Sequence, residues 1–139
     1  KININLLKPV LSWKSYIMDI KQVSKGEFIG YGNSFLAENE TKVASVPIGY
    51  GYGYSRSLSN LGRVIINNKR YSVIGTINMN MFLVDITSND SIAINDEVIL
   101  IGSSTDLDIS LSSFCNMTDQ LNYEVLSRID KDIPRTIIN

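Results

Sequence analysis

Gly62-Arg63-Val64-Ile65-Ile66-Asn67-Asn68-Lys69-Arg70-Tyr71-Ser72-Val73-Ile74 is the stretch that settles the fold class. Two runs rich in β-branched residues flank a pair of asparagines. Asparagine tolerates positive φ better than other residues with a side chain, and a two-residue hairpin turn of the type that matches strand twist needs it at both central positions. The segment therefore predicts a β-hairpin with its turn at Asn67-Asn68.

The chain on either side keeps the same character. Upstream lies Val46-Pro47-Ile48-Gly49-Tyr50-Gly51-Tyr52-Gly53-Tyr54-Ser55-Arg56-Ser57-Leu58-Ser59-Asn60. Glycine at every second position lets the backbone turn tightly or approach another group closely. The intervening tyrosines put rigid rings with polar tips on that bend. Lys42 to Ile48 reads as a strand that Pro47 ends or confines to an edge. Downstream, Thr76-Ile77-Asn78-Met79-Asn80-Met81 alternates polar and apolar residues, the pattern of a half-buried strand running on through Phe82 to Ile86. Glu97 to Gly102 is a further strand. Near the N-terminus, Pro9 to Ile20 reads as one long strand and Phe28 to Gly32 as a short one broken by glycines. Asn33 to Ala37 reads as extended. Many short strands separated by polar turns predict a mostly β fold, a barrel or sandwich.

The last thirty residues differ. Asp108 to Cys115 reads as a short capped helix. Asp119 is placed to cap a second helix over Leu121 to Ile129, with Leu121, Val125 and Ile129 on one face. Ile133 to Ile138 reads as a closing strand. The whole of 1–139 is expected to be a single domain.

Composition removes several function classes. The formal net charge is −1, so no overall field favours nucleic acid or an anionic membrane surface. There is one cysteine, Cys115, and no histidine. An internal disulfide, a Cys/His zinc site and histidine-assisted serine or cysteine catalysis are thereby excluded within the chain, and no metal site is expected. The first residues lack a signal peptide's apolar region, and there is no initiator Met, so a fragment or a trimmed chain is expected; one cysteine suits a reducing compartment such as the cytoplasm without establishing it.

The residues themselves leave their roles open. Gly49-x-Gly51-x-Gly53 has the wrong spacing for a phosphate loop, and no helix opens after it. Tyr50, Tyr52 and Tyr54 read equally as rim rings of a pocket and as rings packed on the sheet. Arg56 suits a carboxylate partner, although a solvated surface arginine is the commoner case. Tyr31, between two glycines, reads as a strand tyrosine covering glycine or as an exposed functional ring. Met79 reads as a core residue of its alternating strand, Tyr123 as a tyrosine at the core edge, and Cys115 as a small buried hydrophobe.

Lys8-Pro9-Val10-Leu11-Ser12, Lys25-Gly26-Glu27, Gly30-Tyr31-Gly32, Val46-Pro47-Ile48-Gly49-Tyr50, Gly53-Tyr54 with Arg56, and Leu58-Ser59-Asn60 occur in this order. Ile74-Gly75, Met79, Val84-Asp85, Leu121-Asn122-Tyr123-Glu124-Val125-Leu126 and Pro134-Arg135 follow. Together, across nearly the whole chain, they resemble the C-terminal domain of alanine racemase, a pyridoxal phosphate enzyme of fold type III. The resemblance implies a preceding (β/α)₈ barrel, outside this sequence, that carries the cofactor on a lysine. It further implies a head-to-tail homodimer in which this domain covers the mouth of the partner's barrel.

The implied reaction is removal and return of the α-proton of alanine, interconverting the L and D forms for bacterial cell-wall peptidoglycan, with the isolated domain inactive. By the same resemblance Tyr31 is the catalytic tyrosine supplied to the partner's site. The Met79 backbone N–H helps hold the substrate carboxylate. Tyr50 and Arg56 line the entryway. Tyr123 bonds the cofactor phosphate in the subunit that owns the cofactor. An unassisted phenol is a poor base near neutral pH, and the resemblance places its help in the barrel.

The chain departs from the family pattern at Gly30 in place of serine, Tyr52 in place of Asp and Thr76 in place of Arg. Asn78-Met79-Asn80 stands in place of Cys-Met-Asp. These departures suggest a second reading: a dimerisation or capping module of a racemase-like protein, or a racemase of another amino acid.

Overall fold

The computed structural model describes residues 8–138. Among the described residues ten strands form: β1 (Trp13–Tyr16), β2 (Asp19–Val23), β3 (Phe28–Ile29), β4 (Phe35–Leu36), β5 (Thr41–Val46), β6 (Arg63–Ile66), β7 (Lys69–Ile74), β8 (Phe82–Asp85), β9 (Glu97–Ser103) and β10 (Asp108–Ile109). Two helices follow, α1 (Leu111–Thr118) and α2 (Asn122–Arg128).

The main sheet has the order β1-β9-β6-β7-β8-β5-β2, with β10 pairing β9 and every described pair antiparallel. Its two edge strands are consecutive in sequence. Laid flat, the edges of seven strands would lie about 29 Å apart. The Ile17-Met18 link between β1 and β2 reaches only about 10 Å. The sheet must therefore curl until its edges meet. Ile17 and Met18 are where it closes: the Ile17 N–H donates to Asp96 C=O at 2.9 Å on one edge, and the Met18 N–H to Ser45 C=O at 2.8 Å on the other. The expected barrel-like β fold is present. The single strand expected over Pro9 to Ile20 is instead an extended run that changes neighbours at Ile17-Met18.

The hairpin turn forms as the sequence requires. Asn67 and Asn68 adopt φ 47° and 61°, and Ile66 pairs with Lys69 across them.

Inside the barrel an aromatic cluster fills the centre. Tyr54 is 1% exposed. Its ring stacks on Phe82 at 4.5 Å and meets Phe114 and Trp13 edge-on at 5.6 and 6.1 Å. The cluster ties β1, β8 and α1 to the Gly/Tyr loop. The outer face of the sheet also carries apolar residues, and short elements cover them. Ile29 and Ala37, from the β3–β4 hairpin, pack on Val43 and Ile74, while Ile109 of β10 packs on Ile65 and Ile99.

That packing corrects the first expected helix. Ile109 is held as a strand, so the helix starts later, with the Ser110 side chain accepting the Ser113 N–H at 3.1 Å. Asp119 does not cap the second helix; at φ 51° it ends α1 in the left-handed conformation, and α2 starts after Leu121 without a side-chain cap. Cys115 is buried, as expected. No strand forms over Ile133 to Ile138, and the segment pairs with none of the strands.

Candidate functional site

The Gly/Tyr loop is built around close approach. A Cβ on Gly49 would collide with the backbone of Asn78 and Met79, and one on Gly51 would lie 2.9 Å from the Met79 carbonyl oxygen and from Met79 Cγ. One on Gly53, which has φ 102°, would collide with the Arg128 carbonyl and lie 2.8 Å from Ile129 Cα. Real Cβ atoms do not sit at such distances, so each glycine is a packing requirement. The first two seat the 78–79 segment and the third seats the end of α2.

Hydrogen bonds fix that seating. The Tyr50 N–H donates to Asn78 C=O at 3.0 Å and the Gly51 N–H to Met79 C=O at 2.9 Å. The Asn78 side chain closes the turn, its Oδ1 accepting the N–H groups of Asn80 at 3.0 Å and Met81 at 2.7 Å. Among the described residues nothing accepts the Met79 N–H. A trans peptide holds its C=O and N–H on opposite sides. With the Asn78 carbonyl turned into the Gly/Tyr loop, the Met79 N–H faces away from it, free to bind an acceptor from outside. Met79 is 53% exposed, and the expected strand over Thr76 to Met81 is not one. It is a loop: the Asn78 N–H donates to Met81 C=O at 3.1 Å, and most of the others donate to side chains.

Those side chains form a cradle. Three consecutive N–H groups, of Gly75, Thr76 and Ile77, donate to Asn60 Oδ1 at 2.7 Å, Ser34 Oγ at 2.6 Å and Ser59 Oγ at 2.9 Å. Asn60 Nδ2 also donates to Ser34 C=O at 3.3 Å. Ser34 follows the 3₁₀ turn Tyr31–Asn33. Gly30 enters that turn at φ 84°, ψ 171°, a combination available essentially to glycine. A Cβ there would lie 3.0 Å from Ser34 Oγ and 3.3 Å from Gly75 Cα. The base of the Tyr31 turn is thus pressed onto Gly75, four residues before Met79. The Tyr31 ring is 76% exposed, which corrects the reading of it as a strand tyrosine covering glycine.

Tyr50 and Arg56 line one depression with Gly53, Ser55 and Arg128. Tyr54 is not part of it. Burial pushes its phenol pKa well above the ordinary value, so it stays protonated and takes no part in proton transfer. Tyr52 is half-buried against the core, and its carbonyl accepts the Asp130 N–H at 3.1 Å. Tyr123 is not a core-edge residue: in the first turn of α2 it is 80% exposed.

A family model described as "Alanine racemase, C-terminal domain" matches residues 10–137. The chain belongs to this family. It is 38% identical over 132 residues to alanine racemase 1 of Clostridium acetobutylicum, covering 95% of this chain and 34% of that protein. The crystal structure of alanine racemase from Oenococcus oeni superposes with a TM-score of 0.90 at 26% identity, over 98% of this chain and 37% of that one. The structure of alanine racemase from Bartonella henselae with covalently bound pyridoxal phosphate gives 0.81 at 28%, over 86% and 33%. The chain spans about a third of the length of the curated relatives it matches.

Within this alanine racemase C-terminal domain, Tyr31 and Met79 stand on two loops joined by the cradle, and Tyr50 with Arg56 flanks the loop that seats Met79. Tyr123 stands apart, on the helix whose far end rests on Gly53. Ser34, Ser59, Asn60 and Asn78 escaped the sequence reading as functional residues. The available signal was local: an Asn two residues before another polar residue is an Asx-turn pattern, and Ser-Asn ahead of Leu-Gly marks a tight turn.

Proposed function

We propose that the chain is the C-terminal domain of a cytoplasmic, pyridoxal-phosphate-dependent alanine racemase. It presents Tyr31 and the Met79 N–H across a homodimer interface to the active site of the partner's barrel. The observation that carries this reading is the free Met79 N–H, held on a fixed loop and tied to the loop of an exposed tyrosine. A backbone donor without a partner suits the carboxylate of a bound amino acid, because it binds the group without itself carrying a charge.

Pyridoxal phosphate, when bound, withdraws electrons from the substrate's α-carbon and lowers the barrier to removing its proton. The described residues fit the edge of such a site. The Tyr123 hydroxyl, exposed and without a partner among them, suits a phosphate oxygen. The Met79 N–H orients the substrate through its carboxylate. The Tyr31 phenolic oxygen takes or returns the α-proton on one face, and a group from the barrel serves the other. Tyr50 and Arg56 narrow the approach and exclude bulk water.

The test is Tyr31→Phe in the full-length parent, which removes one oxygen and keeps the ring. Racemisation should fall in both directions by about 10²- to 10⁴-fold, the usual worth of a general acid–base, with the cofactor's absorbance retained. Undiminished racemisation would remove Tyr31 from this role.

A further inference from the structure

We propose that Asn60 is a positioning residue that couples the Tyr31 turn to the Met79 loop, so that the proton-transfer group and the carboxylate donor keep a fixed relation. The inference rests on the roles given above to Tyr31 and Met79.

Asn60 lies outside both loops and its side chain bonds each of them, beside the direct tie that Ser34 Oγ makes to the Thr76 N–H at 2.6 Å. Its Oδ1 accepts the Gly75 N–H at 2.7 Å, on the segment that leads to Met79. Its Nδ2 donates to Ser34 C=O at 3.3 Å, at the exit of the Tyr31 turn. An acceptor and a donor in one planar group are what an amide offers and a carboxylate does not. The residue also sits at φ 59°, where asparagine is tolerated better than most residues with a side chain. Glutamine would carry the same group one methylene further out.

Asn60 is exposed, so water competes for its hydrogen bonds and they add little net stability. Their effect is geometric. Gly30 and Gly75 face each other without side chains, Gly30 at φ 84° and Gly75 at φ 74°. The two segments therefore touch through backbone at these glycines, and their register rests on the polar ties around them. Asn60, helped by the Ser34–Thr76 bond, supplies that register. A misplacement of about 1 Å in a proton-transfer group costs on the order of 10²-fold in rate.

The experiment compares Asn60→Asp with Asn60→Gly in the full-length holoenzyme. Asn60→Asp keeps the acceptor for Gly75 and loses the donor to Ser34. The turnover rate should fall about 10- to 100-fold while KM for alanine stays within about twofold. The isotope effect from deuterium at the α-carbon should rise only in the direction in which Tyr31 removes the proton. Asn60→Gly keeps the left-handed backbone and loses both ties, so KM should rise as well. Ser34→Ala, which cuts the other tie, should reproduce the one-sided isotope effect, and it serves as the readout if the Asn60 variants fail to assemble. Unchanged turnover and isotope effects in the assembled variants would overturn the proposal. So would an equal rise of the isotope effect in both directions, which indicates general loosening. Tyr31→Phe run in parallel separates the two levels: if it stays active, the parent reading fails; if it is inactive while the Asn60 and Ser34 variants behave as wild type, only the coupling role fails.

Discussion

The Asn78 carbonyl accepts the Tyr50 N–H at 3.0 Å, and this bond sets the direction of the peptide that carries the Met79 N–H. The Gly/Tyr loop is thereby more than the lining of a passage. It is the surface on which the proposed carboxylate donor is aimed.

Gly49 makes that contact possible, since any Cβ there would strike the Asn78 and Met79 backbone. Gly49→Ala in the full-length protein should push the 78–79 segment outward. KM for alanine should rise about 10-fold or more, the cost of roughly one lost hydrogen bond to a charged group. Steady-state kinetics in both directions check this. Gly26, at φ 88° with open space around it, is the control. Gly26→Ala strains only the turn before the β3–β4 hairpin and leaves the 78–79 segment seated, so KM should stay unchanged.

Tyr54 should act as a stability residue and not as a chemical one. Tyr54→Ala empties the centre of the aromatic cluster and should cost about 3–5 kcal/mol in urea unfolding, as for other buried aromatics. Tyr54→Phe retains the stacking on Phe82 and should fold to the same barrel.

The same burial gives a pH dependence. The folded state holds the Tyr54 phenol protonated, whereas the unfolded chain releases that proton near its ordinary value of about 10. The folded pKa is raised, so the contribution is fully present below about pH 10. Above that it is lost as the unfolded state ionises, at up to roughly 1.4 kcal/mol per pH unit. Stability measured between pH 9 and 11 should fall more steeply for the wild type than for Tyr54→Phe. Parallel slopes would contradict the assignment.

Cys115 offers a probe of opening. Burial first, and the nearby Glu124 carboxylate second, push its thiol pKa up. A thiol reagent at neutral pH should label it at the rate at which α1 leaves the barrel, far more slowly than in denaturant. Mass spectrometry over time checks this.

What the sequence revealed and concealed follows from where the determining interactions lie. The hairpin at Asn67-Asn68 and the tight packing at Gly49, Gly51 and Gly53 were legible because backbone conformation or steric room restricts the residue type locally. The loop at Thr76–Met81 was misread because its period of two mimics a strand. The N–H groups of Gly75, Thr76 and Ile77 at its entry are taken by Asn60, Ser34 and Ser59, residues up to 42 positions away in sequence, and no local pattern records that. The long N-terminal run expected as one strand is two, β1 and β2. Its break at Ile17-Met18 follows only from the closure of the sheet. The apolar run Ile133–Ile138 has a strand's composition, but it pairs with no strand of the sheet. The proposed site residues Tyr31, Met79, Tyr50, Arg56 and Tyr123 rest on the resemblance. Composition and periodicity alone had placed Tyr31 and Met79 on strands and Tyr123 at the core edge.

In the proposed function this domain completes its partner's active site. Mixing two inactive full-length proteins tests it most directly: one carries Tyr31→Phe, and the other lacks the cofactor lysine of its barrel. In a mixed dimer the intact barrel of the first faces the intact Tyr31 of the second. After subunit exchange, activity should return to roughly a quarter of the wild-type rate, since half of randomly mixed dimers each hold one complete site. No recovery in a mixture shown to contain mixed dimers would contradict the account.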